Sequence, residues 1–152
     1  MQFLNNYSNR ELNIWAELIL DILVSFYFFP KIFPLIIDGQ LYSEALVDII
    51  ATSIIIAIIY SIFVFGAIYT LTKREEKDER DYIYELKSYR ISNIISQVSI
   101  YLLISLIVFN PINQVRLNEF TAPMIAMILL IITLLSSTGK SLTQLFNYRK
   151  NI

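Results

Sequence analysis

The stretch EALVDIIATSIIIAIIYSIFVFGAIYTLT, residues 44–72, decides the class of fold, because after Asp48 no charged residue interrupts it until Lys73. A helix needs about 20 apolar residues to cross the roughly 30 Å hydrocarbon core of a bilayer, whereas a helix in a soluble domain keeps a polar face toward water. Working outward, three further apolar runs occupy residues 12–37, 91–109 and 122–145. The chain therefore reads as all-α: a single integral-membrane domain, residues 1–152, built as a four-helix bundle. Composition agrees, with 56% hydrophobic residues and a mean hydropathy of +0.58, the apolar residues gathered in blocks.

The boundaries follow from breakers and caps. Glu17, Asp21 and Lys31 interrupt the first run, and Pro30 and Pro34 are expected to bend or end its outer part. The two carboxylates and the lack of a small-residue cleavage pattern argue against a removable signal peptide. Asp38 and Gly39 mark a turn, and Ser43 is placed to cap a second helix that outruns the bilayer and must protrude or tilt. The third run stops at Asn110 and Pro111, since proline lacks the helical donor and restricts its predecessor. The fourth starts around residues 121–123 and passes through Ser136, Ser137, Thr138 and Gly139 into a more amphipathic tail ending at Arg149 and Lys150.

Orientation follows from lysine and arginine, which accumulate in loops kept in the cytoplasm. Residues 73–90 hold six of them: Lys73, Arg74, Lys77, Arg80, Lys87 and Arg90. Arg10 lies before the first run and Lys140, Arg149 and Lys150 late in the fourth, while the other two connections offer only Lys31 and Arg116. Both termini are expected in the cytoplasm of a multi-pass protein of the cell membrane. An even number of spans requires the termini to share a side, so the charge bias and the span count support each other.

The connection KREEKDERDYIYELKSYR, residues 73–90, contains no glycine or proline and is expected to extend the third helix into the cytoplasm. At about 100° per residue, Asp78, Asp81 and Glu85 share one stripe and Arg80, Lys87 and Arg90 lie nearly opposite. Tyr82, Leu86 and Tyr89 form a third stripe beside the acidic one. Two readings stay open: a solvated helix with basic groups near anionic headgroups and tyrosines at the interface, or a docking surface for a membrane or cytoplasmic protein, with Asp78, Glu79, Arg80, Asp81, Lys87 and Arg90 as its contact residues.

The run Asp78, Glu79, Arg80, Asp81, followed by Ile83, Lys87, Arg90, Ile91 and Ser92, resembles the D-E-R-D/E signature of a family of small bacterial and archaeal predicted membrane proteins of unknown function. These have about four membrane helices, with the signature between the second and third. The resemblance covers the motif and its surrounding hydropathy. It implies a nonenzymatic membrane protein and supplies no catalytic residue.

Within the membrane, Glu17 and Asp21 are four residues apart on one helix face. Each charge at the bilayer centre costs roughly 2.5–3.5 kcal/mol on insertion scales, so a proton, a cation or water is expected beside them. The stripe Arg90, Asn93 and Gln97 is one candidate complement and Lys140 another. These six residues are either interhelical polar contacts or a proton- or cation-coupled site. Ser53, Ala57 and Ser61 form a small-residue strip suited to close helix packing, internal or between copies. Ser92, Ser96 and Ser99 suggest the same on the third helix.

With no cysteine and no histidine, the chain has no thiolate or imidazole for a metal, a nucleophile or a general base. No glycine-rich phosphate cradle occurs, and the net charge of −1 lacks the basic footprint of a nucleic-acid binder. Neither catalysis, a cofactor, a metal nor direct nucleic-acid contact is expected. Three functions fit: an accessory, sensory or regulatory membrane component acting through the cytoplasmic helix, a small proton- or cation-coupled transporter, and a bacteriocin-immunity or envelope-defence protein. Homo-oligomerisation is compatible with each.

Overall fold

The computed structural model describes residues 9–41, 44–71, 78–109 and 121–150. They form four helices: α1 (Asn9–Ile37), α2 (Glu44–Leu71), α3 (Glu79–Phe109) and α4 (Ala122–Lys150). All four are long and apolar enough to span a membrane. Much of their apolar surface faces outward, as at Phe26 (77% exposed), Ile37 (80%) and Phe63 (72%). In water such a surface would drive association; facing acyl chains it carries no penalty.

α1 ends as the sequence suggests, and the reason is local. Gly39 adopts φ +67°, Gln40 N–H donates to Leu35 O at 2.9 Å and Gly39 N–H to Ile36 O at 3.3 Å. This is a Schellman closure, in which a left-handed residue after the helix lets two backbone donors reach back to orphan carbonyls. Pro30 and Pro34 sit inside α1 and do not end it. A missing proline donor breaks one hydrogen bond, but the Pro34 carbonyl still accepts from Asp38 N–H at 2.9 Å and the helix runs on.

α2 is continuous but not uniform, because Ser61–Phe65 form a π-helical turn before the α-helix resumes at Gly66. Nothing in its apolar sequence announces that turn. α3 begins at Glu79, so helix already covers the second half of the charged connection. Asp78 Oδ1 accepts from Glu79 N–H at 2.6 Å, and Asp81 Oδ2 accepts from Asp78 N–H at 2.9 Å. The carboxylate three residues in thus caps the first backbone donor, as in a capping box. The cap proposed at Ser43, residues 73–77 of the connection and the stop at Asn110 and Pro111 lie outside the described residues.

The four helices do not pack equally. α1 and α4 lie side by side at the centre, and α2 leans mainly on α1, closing on α4 only at one end. Among the described residues α3 runs along α4 alone and reaches α1 only through side chains. One core gathers Phe28, Ile32, Leu46, Ile49 and Met127 where α1, α2 and α4 meet, and a second joins Ile14 and Leu18 to Leu145. Small residues bring α3 onto α4: Ser92 and Ser96 Oγ each lie 2.7 Å from Ser136 Oγ, and Ser136 Oγ donates to Ser92 O at 2.9 Å. At Gly139 a Cβ would stand 2.6 Å from Ile95 Cδ1, so the Ile95 side chain of α3 packs into the space that the missing side chain leaves on α4.

Candidate intramembrane site

Two carboxylates project from successive turns of α1, about 6 Å apart along its axis, and α4 answers each with different chemistry. Lys140 Nζ donates to Glu17 Oε1 at 3.0 Å and to Oε2 at 2.8 Å, with Ser141 Oγ at 3.4 Å from Oε2. The ammonium also stands 5.1 Å from the centre of the Tyr89 ring on α3, a cation–π distance. Glu17 is therefore neutralised within the fold.

Asp21 is not. It is 5% exposed and held by hydroxyls, with Thr138 Oγ1 donating to Oδ2 at 3.3 Å and Ser137 as a second hydrogen-bond partner. Among the described residues no lysine or arginine forms an ion pair with it. Asp21 lines a cavity of about 730 Å³ between α1, α2 and α4, within the roughly 300–1,000 Å³ range typical of small-molecule sites. Most of the wall is leucine, isoleucine, valine and alanine, with Ser53, Ser61, Thr133 and Ser137 as further polar groups.

The small-residue strip falls into place here. Ser53, Ala57 and Ser61 line that cavity, so the strip faces the neighbouring helices. Ser53 is 1% exposed and returns its hydroxyl to Ile49 O at 2.8 Å. The π turn starts at Ser61 and contributes Ile62 to the same wall. Such turns rotate the following side chains relative to a regular helix and recur at functional sites.

A second hollow, about 340 Å³ between α3 and α4, shares Leu129, Thr133 and Ser137 with the cavity. Lys140 lines both this hollow and a third, polar pocket of about 190 Å³ that also holds Arg10, Glu17, Asp81 and Tyr148. A series of hydroxyl and charged groups thus runs from the end where α1 begins to Asp21. That end is closed by side chains. Arg10 pairs with Asp81, Tyr148 Oη donates to Asp81 Oδ1 at 2.7 Å, and the Tyr84 and Tyr148 rings meet edge-on at 5.3 Å.

The other candidates separate. Arg90, Asn93 and Gln97 are exposed on the face of α3 turned away from the carboxylates, because Ser88, Ser92 and Ser96 occupy the face that meets α4. They are not the complement of Glu17 and Asp21. Of the proposed contact residues, Asp78, Glu79, Arg80, Lys87 and Arg90 are exposed, while Asp81 is drawn inward by Arg10 and Tyr148. Ser137, Thr138 and Thr133 escaped notice as site residues. Their only signal was a cluster of hydroxyls in an otherwise apolar run, which also suits a fading helix end.

Comparison of the chain with protein-family models, curated proteins and solved structures finds no match.

Proposed function

We propose that this protein binds a small lipophilic cation in the α1–α2–α4 cavity, with Asp21 as counter-ion, and exchanges it for a proton as a proton- or cation-coupled transporter does. One observation carries the reading: a buried carboxylate without a basic partner among the described residues opens onto an apolar cavity of about 730 Å³. An ionised carboxylate at that depth is costly, and either a proton or a bound cation removes the cost. The two are mutually exclusive at one carboxylate, which is the minimum requirement for coupled exchange. The apolar wall selects against hydrated inorganic ions and for cations that carry their own apolar surface. Glu17 and Lys140 hold the polar entrance, and the hydroxyls between them and Asp21 supply a route for the proton.

The test uses the full-length protein in lipid vesicles with tetraphenylphosphonium as probe. Wild type is expected to bind the cation more tightly as pH rises, with one proton released per cation, and a pH gradient should drive its accumulation. Asp21→Asn keeps an acceptor for Thr138 and should lose binding at least tenfold while the helices stay folded. Undiminished binding and flux in that variant would remove Asp21 from the mechanism.

A second reading, an accessory or regulatory role, rests on a separate observation. The charged part of α3 is anchored to the beginning of α1 and the end of α4, yet exposes Arg80, Leu86, Lys87 and Arg90 together. A positive-inside orientation puts this surface and both termini in the cytoplasm. Reversing Arg80, Lys87 and Arg90 at matched expression should abolish cross-linking to a cytoplasmic partner in the native membrane. Unchanged association would count against that surface.

A further inference from the structure

α3 is the peripheral helix of the fold, its backbone packed on α4 alone among the described residues, and one stripe of its exposed surface is not the lipid-like surface such a position calls for. Arg90, Asn93, Gln97, Ile104 and Ile107 are all exposed along it, and Ile100, also exposed, stands at its edge, where it lines the hollow shared with α4. Their spacings alternate between three and four residues, which places them on one continuous stripe along the helix. The three isoleucines are ordinary at a lipid boundary. The two carboxamides are not. Asn93 and Gln97 lie about 4 and 10 Å beyond Arg90 along the axis, and neither side chain hydrogen-bonds to another described residue. Acyl chains offer no donor or acceptor, so each amide facing lipid leaves its full hydrogen-bonding capacity unmet.

We infer that this face of α3 pairs with α3 of a second copy, making the protein a parallel homodimer about an axis normal to the membrane. The occupant follows from the chemistry of the seam. A carboxamide carries both donors and an acceptor, so an identical amide opposite it satisfies both. In a two-fold arrangement of parallel helices every seam residue meets its own symmetry mate, Asn93 on Asn93 and Gln97 on Gln97, with isoleucine on isoleucine beyond. A single polar layer among apolar ones also fixes register and pairing number. The Arg90 side chains, first in the seam, are long enough to diverge to the headgroups. The inference rests on the spanning of α3 and not on Asp21, and it survives if the cation site fails.

Because the chain has no cysteine, single cysteines report the face directly. Ile104→Cys and Ile107→Cys are placed on the seam, with Val98→Cys and Leu102→Cys, 52% and 60% exposed in the native chain, as positions off it that are at least as accessible. In vesicles at low protein-to-lipid ratio, oxidation is expected to give at least tenfold more disulfide dimer at the seam positions. Adding Asn93→Leu and Gln97→Leu should reduce dimer formation by about tenfold per amide, with helical content unchanged. Equal cross-linking on both faces, or seam cross-linking indifferent to loss of both amides, would overturn the proposal. So would native membranes in which the seam cysteines capture a different protein instead of a second copy.

Discussion

At the scale of single residues, Lys140 performs three tasks through one ammonium: it binds both oxygens of Glu17, rests over Tyr89, and separates the polar pocket from the hollow between α3 and α4. Glu17→Gln leaves that cation without its anion in a largely enclosed place and is expected to cost about 1.5–3 kcal/mol, the worth of a hydrogen bond to a charged group. The check is a double-mutant cycle with Lys140→Met, read as melting in detergent. Removing both groups should cost less than the sum of the single losses. Tyr148 makes a second residue-scale case. Its hydroxyl donates to Asp81 and so ties the end of α4 to the beginning of α3. Tyr148→Phe should lower stability by about 1 kcal/mol, the worth of one hydrogen bond, read as melting in detergent. Unchanged melting would show that the tie contributes nothing.

At the scale of elements, the ends of helices are set by one or two residues and their middles by the neighbours they meet. Gly39 has no atom within 4 Å of the place a Cβ would take, so Gly39→Val is penalised by backbone conformation alone. About 1–2 kcal/mol is expected, with the loss seen in thermal unfolding and the cavity left unchanged. Ser136 is the opposite case, since its hydroxyl sits among Ser92 Oγ, Ser96 Oγ and Ser92 O. Ser136→Val removes that junction, and among the described residues the backbone of α3 packs on no helix besides α4. Loosening of α3 from α4 should appear as faster hydrogen exchange through α3 while α1 and α2 keep their protection. Equal protection in wild type and variant would show that apolar packing alone holds the pair.

At the scale of the whole molecule, the arrangement predicts which surfaces meet which compartment. With the basic end inside, Lys87→Cys should react with a membrane-impermeant maleimide only in inside-out vesicles, and Gln40→Cys only in the opposite orientation. Labelling of both from one side would contradict four crossings. Much of this molecule was legible in advance because bilayer physics writes itself into local sequence. Residues 44–72 and their three companions had to be apolar over a helix long enough to cross, and Asp38 and Gly39 had to mark a turn after the first run, whereas the acidic cap at Asp78 and Asp81 emerged only from the structure. The apolar runs and the turn depend on a residue and its chain neighbours. The pairing of Lys140 with Glu17, more than one hundred positions away, was foreseen only as one of two complements, because periodicity gives the face of a helix but not which helix that face will meet. For the same reason the stripe Arg90, Asn93 and Gln97 shares a face as expected, yet that face turns outward. The sequence by itself determined the helices and their suitability for a membrane, since helix propensity and transfer from water are local. Only the tertiary structure decided that α1 and α4 form the centre, that Asp21 lines a cavity with no lysine or arginine among the described residues of its wall and that α3 stands at the edge, because these depend on which small residues let two backbones approach.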